Sequence, residues 1–150
     1  MNGIEDGVAV VTGGGSGIGR QSSLRFAEAG AKVVVADIDA DGGRETVEKI
    51  ESEGGEATFV RTDVTDSDDV DAMVQTAVEE YGGLDFAHNN AGIADEGTRL
   101  ADYDEAEWDR MIDVNLKGVW RCLKAEIPEM IERGGGAVVN TSSVAGVSAN

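Results

Sequence analysis

Cysteine and proline are almost missing from this chain, since each occurs once in 150 residues. A single thiol, Cys122, cannot form an internal disulfide, which favours a reducing, cytoplasmic setting. No apolar run approaches the roughly 20 residues that a membrane-crossing helix needs, and the first residues lack the pattern of a secretory signal. With 41% hydrophobic residues, the chain is expected to form one domain over residues 1–150.

Positive charge is also scarce. Twelve Lys and Arg residues stand against thirty Asp and Glu residues, which gives a net charge of −18, and only four of the cations are lysines. This excess makes nucleic acid and anionic membrane surfaces poor partners. An acidic, lysine-poor composition is typical of salt-adapted (halophilic) proteins, whose self-repulsion is screened by salt. The alternative is a soluble protein that is acidic without being adapted to high salt.

The chain has instead a regular alternation of short Val- and Ala-rich runs with amphipathic segments. The apolar runs predict buried parallel strands at about 8–12, 32–37, 57–62, 84–88 and 136–142. The amphipathic segments predict helices near 17–29, 39–53, 66–81 and 105–133. Capping residues support these bounds: Asp39, Asp66 or Ser67, and Asp104 at helix starts, and glycines 30, 54, 82 and 134 just past helix ends. Pro128 predicts a kink in the last helix or the approach of its end.

This order predicts an α/β fold, a doubly wound parallel sheet of Rossmann type with strand order 3-2-1-4-5 and right-handed crossovers. The strand order then reverses between the first and fourth strands, and a ligand is expected at their carboxyl ends. The sheet is expected to be incomplete on its C-terminal side. Its fifth strand, residues 136–141, is expected to be a bare apolar edge that favours self-association.

A cluster of glycines directly follows the first strand. The spacing is Gly13, Gly17 and Gly19, with Ser16 and Ile18 between them, and a predicted helix begins at once. Glycine lets the backbone turn tightly and approach a ligand closely, and a helix start offers unpaired N–H groups and a positive dipole end. The position predicts a pyrophosphate site, with an ordinary tight turn as the alternative.

Asp37 ends the second strand, 18 residues past Gly19. A carboxylate at this distance accepts hydrogen bonds from the ribose hydroxyls of a dinucleotide and repels a 2′-phosphate, which favours NAD over NADP. The alternative is a cap for the next helix, although Asp39 is better placed for that purpose.

Polar residues also follow the third and fourth strands. Asp63 could bond an adenine amino group, with Val64 against the ring, or the two residues could form only a capping turn. Asn89, Ala91 and Gly92 end the fourth strand beside the point of reversal, where small residues would let a cofactor pass close to the backbone. Turn chemistry alone would explain them equally well.

The last candidates lie further along the chain. Asn115 is in the middle of the fourth predicted helix, where its apolar neighbours favour an inward-facing residue with a hydrogen-bond partner over the alternative, an exposed surface asparagine. Ser142 and Ser143 follow the fifth strand, where a hydroxyl could polarise a substrate carbonyl or simply form a turn. His88, the only histidine, is interpreted as a strand end and not as an acid–base catalyst.

Taken together, these motifs resemble the short-chain dehydrogenase/reductase family in its single-domain branch. The matching segments run through the chain in order: Thr12-Gly-Gly-Gly-Ser-Gly-Ile-Gly19, Asp37, Asp63-Val64, Asn89-Asn-Ala-Gly92, Asn115 and Asn140-Thr-Ser-Ser143. The spacing of the glycine loop disfavours a third possibility, a nucleotide-sugar epimerase of the extended branch.

The resemblance implies hydride transfer between a nicotinamide and a small-molecule alcohol or ketone, often by a homo-oligomer (tetramer or dimer). It implies that the glycine loop holds the pyrophosphate, Asp37 the ribose, and Asp63 and Val64 the adenine. It assigns Asn89, Ala91 and Gly92 to the nicotinamide side. It also implies catalytic roles for Asn115, in a water relay, and for Ser143, at the substrate oxygen.

The chain departs from the family pattern at its end. The family's base is a tyrosine in a Tyr-x-x-x-Lys pair about a dozen residues after the matched serine, and residues 1–150 stop before it. The chain as written is therefore expected to bind NAD weakly and not to turn over. The alternative is a non-catalytic NAD-binding or interaction module.

Overall fold

A computed structural model gives the fold of residues 3–94 and 97–144, so the two ends of the expected 1–150 domain lie outside the described residues. Strands and helices alternate. The strands are β1 Val8–Thr12, β2 Lys32–Asp37, β3 Ala57–Arg61, β4 Phe86–Asn89 and β5 Ala137–Asn140. The helices are α1 Gly17–Glu28, α2 Ala40–Ser52, α3 Ser67–Tyr81, α4 Glu105–Ile112 and α5 Val119–Glu132. A short 3₁₀ turn, Leu100–Asp102, precedes α4, and a π-helical segment, Asp113–Gly118, joins α4 to α5.

The five strands form one parallel sheet in the order β3-β2-β1-β4-β5, which confirms the predicted topology. The chain crosses from β3, at one edge, over to β4, so the direction of winding reverses between β1 and β4. Within the described residues β5 is the other edge, and its Val139 is 59% exposed. The carboxyl ends of β1, β2 and β4 therefore meet at one rim of the sheet.

Both faces of the central strands are covered, which explains why they are Val-rich without alternation. Val8 and Val10 of β1 belong to a core that includes Met73 of α3 and Cys122 of α5. Val11 faces the opposite way, into a core that Ile50 of α2 completes. The result is a sheet sandwiched between α1 and α2 on one side and α3 and α5 on the other.

The predicted helix ends are confirmed. Asp39, Asp66 and Asp104 are the N-caps of α2, α3 and α4, and each carboxylate accepts a hydrogen bond from the N–H two residues later. The C-terminal glycines 30, 54, 82 and 134 have φ between 86° and 91°, a left-handed conformation that side chains disfavour.

The long helix expected over 105–133 is confirmed in its extent, since helical residues run without a break from Glu105 to Glu132, but its middle is not α-helical. It is divided into α4, the π-helical segment and α5, because residues 113–118 take the wider i→i+5 turn. Pro128 lies inside α5, which continues to Glu132. The last two strands differ from their predicted bounds because pairing fixes their length: β4 pairs with β5 only over Phe86–Asn89.

Among the described residues, every helix is too short or too polar to cross a membrane.

Candidate functional site

A groove of about 1100 Å³ opens at the carboxyl ends of the strands, across the point where the winding reverses. Its walls come from the loops after β1, β2, β3 and β4, and from α4 and the π-helical segment. Nine of the candidate residues lie along it: Gly13, Ser16, Gly17, Ile18, Asp37, Asp63, Val64, Ala91 and Gly92. The topology therefore brings together residues from four separate segments.

The glycine loop has a backbone geometry that favours glycine. Gly13 and Gly17 have φ of 64° and 49°. A Cβ on Gly19 would lie 2.0 Å from the carbonyl oxygen of Gly13, so the start of α1 is pressed against the loop. At Gly17 a Cβ would meet nothing within 4 Å, because this residue faces the open groove. The loop thus exposes its backbone to the space where a ligand would lie.

The first turn of α1 is the part of the loop best suited to an anion. Its N-cap, Ser16, makes no side-chain capping hydrogen bond, and the turn contains no acidic residue. In contrast, α2, α3 and α4 each begin with a capping Asp and carry acids in the first turn. In a chain this acidic, the amides at the start of α1 keep their positive potential.

Asp37 joins the loop to the end of β2. Its Oδ2 accepts a hydrogen bond from the N–H of Gly15 at 2.8 Å, and its Oδ1 accepts one from the N–H of Asp39 at 2.9 Å. Asp39, and not Asp37, is the N-cap of α2. Because a carboxylate has about four acceptor positions, Asp37 keeps acceptor capacity toward the groove that it lines.

Sequence reasoning missed the contact between the glycine loop and α2. A Cβ on Gly42 would lie 2.9 Å from the carbonyl oxygen of Gly15, so the helix start packs directly on the loop. Arg20 of α1 donates to that same carbonyl oxygen and, from Nε, to the hydroxyl of Thr46. The sequence signal was the pair Gly42-Gly43, two poor helix formers in the first turns of a helix.

Asp63 and Val64 form the wall after β3. The Oδ1 atom of Asp63 accepts hydrogen bonds from the N–H and hydroxyl of Thr65, and these bonds hold the pKa of Asp63 below its usual value. Arg121 of α5 donates to the carbonyl oxygen of Val64 at 3.3 Å and to the carboxylate of Asp113 at 2.8 Å. The turn after β3 and this wall of the groove are therefore the same structure. A capping turn and an adenine-binding wall are both compatible with it.

The Thr12 hydroxyl fastens β1 to β4 at the reversal. It accepts hydrogen bonds from the N–H groups of Asn90 and Ala91, at 3.0 and 3.1 Å. The Asn90 amide in turn donates to the carbonyl oxygen of Thr12. These hydrogen bonds fix the groove floor. Nothing in the sequence around Thr12 predicts them.

His88 takes part in a chain of hydrogen bonds beneath the groove. Its Nδ1 is 2.8 Å from the Ser22 hydroxyl, and its Nε2 is 2.9 Å from the hydroxyl of Thr141, which lines the groove. Thr141 donates to Oδ1 of Asn90, so its oxygen accepts from Nε2–H of His88, and Nδ1 accepts from Ser22. Burial lowers the pKa of His88, which favours this neutral form.

Asn115 was expected to face inward, and this is wrong, because its amide bonds to the partly exposed segment after β4 and not to the core of the sheet. Its Oδ1 accepts from the N–H of Ile93 at 2.8 Å, and its Nδ2 donates to the carbonyl oxygen of Ile93 at 2.9 Å. The two bonds tie the helix to the segment after β4, and Ile93 lines the groove.

Four candidates do not line the groove. Gly19 and Asn89 are buried behind it, Asn115 braces it through Ile93, and Ser143 is exposed two residues beyond the lining residue Thr141. The Asn89 side chain is directed to Glu126 and Asn140, away from the groove.

Comparison with known proteins agrees with this architecture. The model of the family described as short chain dehydrogenase matches residues 7–150. A short chain dehydrogenase/reductase, astE, from Aspergillus oryzae is 44% identical over 142 residues, which cover 93% of this chain and 54% of that protein. Cyclohexanol dehydrogenase from Acinetobacter sp. is 39% identical over 146 residues, covering 97% and 58%.

Solved structures give the same result. A short-chain type dehydrogenase/reductase from Mycobacterium marinum superposes with a TM-score of 0.94 at 35% identity, covering 98% of this chain and 60% of that one. A hydroxysteroid dehydrogenase from Escherichia coli gives 0.86 at 34% identity, covering 91% and 57%. The chain thus spans little more than half the length of these relatives.

Proposed function

The chain belongs to the short-chain dehydrogenase family, and from that premise we propose that the protein is an NAD-dependent oxidoreductase acting on an alcohol or ketone. The observation that carries the proposal is the groove formed by the glycine loop, Asp37 and the Asn90–Gly92 segment at the reversal of the sheet. When bound there, the nicotinamide would supply the hydride acceptor or donor. The chain's own residues would bind and orient it.

The residues fit a dinucleotide. The diphosphate would lie against the first turn of α1, whose amides have no acidic neighbour in that turn, and over Gly17, where a side chain would find open space. Ser16 and Ile18 would flank it, and Gly13 and Gly19 would keep the loop in its tight turn. Asp63 and Val64 would hold the adenine at the other wall.

Asp37 supports NAD as the preferred cofactor. Its carboxylate is held by Gly15 and Asp39 with acceptor positions left over, which suits ribose hydroxyl groups. A 2′-phosphate at the same place would meet a fixed negative charge. The other acids nearby, Asp39 and Asp41 at the start of α2, add to that repulsion.

At the nicotinamide end the proposed roles are positional. Ala91 and Gly92 leave room beside the backbone, Asn89 fixes the strand end behind them, and Asn115 holds the adjoining segment through Ile93. Asn115 is also proposed for the water relay and Ser143 for the substrate oxygen. The names of two relatives, cyclohexanol dehydrogenase and hydroxysteroid dehydrogenase, support an alcohol-bearing substrate. A cytoplasmic homo-oligomer is the proposed state of the whole protein.

Calorimetric titration of the purified protein with NAD and with NADP tests the proposal. We expect saturable binding of NAD and at least tenfold weaker binding of NADP, a difference of about 1.4 kcal/mol. We expect residues 1–150 alone to bind NAD without reducing it in the presence of secondary alcohols, because the family's Tyr-x-x-x-Lys pair is not among them. Absence of binding by either dinucleotide at millimolar concentration would refute the cofactor site, and preference for NADP would refute the role of Asp37.

A further inference from the structure

Glu126 occupies an unusual position for a carboxyl group. It lies on α5 one helical turn after Cys122 and one turn before Met130, and both neighbours belong to the hydrophobic core. The side chain of Glu126 is completely buried. An acidic residue therefore stands in the middle of an apolar stripe, where it needs partners for both of its oxygen atoms.

Only one of those oxygens has a partner. The Nδ2 atom of Asn89 donates to Oε2 of Glu126 at 3.0 Å and also to Oδ1 of Asn140 at 3.1 Å. The other carboxyl oxygen, Oε1, is buried without a hydrogen-bond partner, and so is Oδ1 of Asn89. The two orphan atoms thus belong to two groups that are already joined by one hydrogen bond.

We infer that Glu126 carries a proton on Oε1 in the native protein and donates it to Oδ1 of Asn89, forming a two-bond acid–amide pair. Every donor and acceptor of the two side chains then has a partner. Asn89 uses both of its amide hydrogens, on Glu126 and Asn140, and its oxygen accepts from the acid. One proton therefore gives a partner to both oxygens that lacked one. If the Asn89 amide were rotated by half a turn, its oxygen would lie against Oε2 of Glu126 and Oδ1 of Asn140.

The surroundings of Glu126 disfavour the ionised form. None of the ion pairs within residues 3–94 and 97–144 includes Glu126. Arg121, on the same helix, is bonded to Val64 and Asp113 instead. The polar groups beside Glu126 are the amide of Asn89 on β4, which also donates to Asn140 of β5, and the thiol of Cys122 one turn away on α5. The buried face of α3 is apolar: Val70, Met73, Val74 and Ala77.

The ionisation of the two neighbouring groups, Glu126 and Cys122, agrees with this geometry. Burial raises the pKa of Glu126 to about 7, and the hydrogen bond from Asn89 offsets only part of that rise. Burial, together with the neighbouring Glu126, also raises the pKa of the Cys122 thiol to about 12, so that group stays neutral as well.

The pair makes Glu126 a positioning residue for the rim of the sheet. Asn89 and Asn140 are register partners at the carboxyl ends of β4 and β5. The next residues along each strand, Asn90 and Thr141, line the groove and bond to each other. By holding Asn89 in one orientation, the neutral acid fixes the spacing of the two strand ends from behind.

Infrared difference spectroscopy on the purified protein tests the protonation directly. At about pH 6 exposed carboxyl groups are ionised, so the spectrum of wild type minus E126Q should show the C=O band of one protonated, hydrogen-bonded carboxyl group. The exposed acid Glu132 on the same helix provides the control, and E132Q should show only the loss of a carboxylate. A carboxylate signal lost in E126Q would overturn the inference.

Two variants test the pairing. In E126Q a carboxamide can make both bonds, so at about pH 4.5, where Glu126 is protonated in the folded chain, its melting temperature should match that of wild type. Its Kd for NAD should stay within about twofold of the wild-type value. In E126M the volume is kept but both bonds are lost, and we expect a lower melting temperature and roughly tenfold weaker NAD binding. If E126Q and E126M behave alike, the pair does not exist.

The infrared band and the melting temperatures are read without any dinucleotide. They therefore decide the acid–amide pair even if the proposed cofactor fails to bind, and the band alone decides it if E126M does not fold.

Discussion

The carboxylate of Asp37 accepts a hydrogen bond from the N–H of Gly15 across 2.8 Å, and one side chain thereby ties the glycine loop to the end of β2. The two residues are 22 positions apart in the chain. Because the second carboxylate oxygen is bonded to the N–H of Asp39, the acid is fixed in place by protein contacts. In the proposed cofactor site, its contribution to selectivity for NAD would come from a charge that does not have to move.

Replacing Asp37 with Asn tests this arrangement. Asn keeps the size and one acceptor oxygen but loses the charge, so NAD should bind about tenfold more weakly while NADP binds more tightly. Calorimetric titration of both cofactors measures the change. E48Q, at an exposed acid further along α2, provides the control and should leave the ratio of the two affinities within about twofold. An unchanged ratio in D37N would argue against the ribose role.

Two glycines of the loop should respond differently to alanine. In G19A the new Cβ would lie 2.0 Å from a backbone oxygen, so the loop must move, and we expect a loss of about 2–4 kcal/mol in the free energy of unfolding and loss of NAD binding. In G17A the Cβ meets open space and only the φ of 49° is strained, which costs about 1 kcal/mol. Urea unfolding compares the two variants. Equal losses would contradict the loop geometry.

Removing the Asn115 amide should release the segment after β4. N115L loses both bonds to Ile93, and we expect a loss of about 1–2 kcal/mol in the free energy of unfolding. N115D keeps the acceptor for the N–H of Ile93 but places an oxygen against its carbonyl, so a similar loss is expected. Hydrogen exchange of the Ile93 amide should accelerate in N115L and stay slow in a variant of its exposed neighbour, L116A.

Glu126 predicts a specific pH dependence of stability. Its pKa is raised by burial to about 7 from an ordinary value of 4.5, so between these values the folded chain holds a proton that the unfolded chain has lost. The stabilising contribution is therefore complete below about pH 4.5 and is lost as the pH rises to about 7, by up to roughly 3 kcal/mol relative to E126Q.

Measuring the unfolding free energy of wild type and E126Q from pH 4.5 to 8 isolates this group, since the other carboxyls cancel in the difference. As the pH rises, the unfolding free energy of wild type should fall relative to that of E126Q. The difference between the two should level off above about pH 7. A flat difference would mean that Glu126 titrates normally.

Local patterns were enough to predict most of the fold. The Val-rich runs at 8–12 and 32–37 gave strand bounds that the structure matches, because burial on both faces leaves a signal within five or six residues. The caps Asp39, Asp66 and Asp104 were equally readable, since each bonds only two residues along the chain. The strand order followed from the alternation of elements and the position of the glycine loop.

The errors occurred where a distant partner decides the local structure. Nothing in residues 105–133 marks the π-helical segment, which sets Asn115 against Ile93, 22 residues earlier. The pairing of Glu126 with Asn89, 37 residues away, and of His88 with Thr141, 53 residues away, has no local signature either.

The sequence by itself therefore determined the order of strands and helices, the helix ends and the position of the ligand groove, because each depends on periodicity, capping or backbone freedom over a few neighbouring residues. Only the tertiary structure decided which polar groups face the groove and which lock the sheet behind it. That choice depends on completing the hydrogen bonds of buried groups, and the atoms that complete them come from strands and helices far apart in the chain.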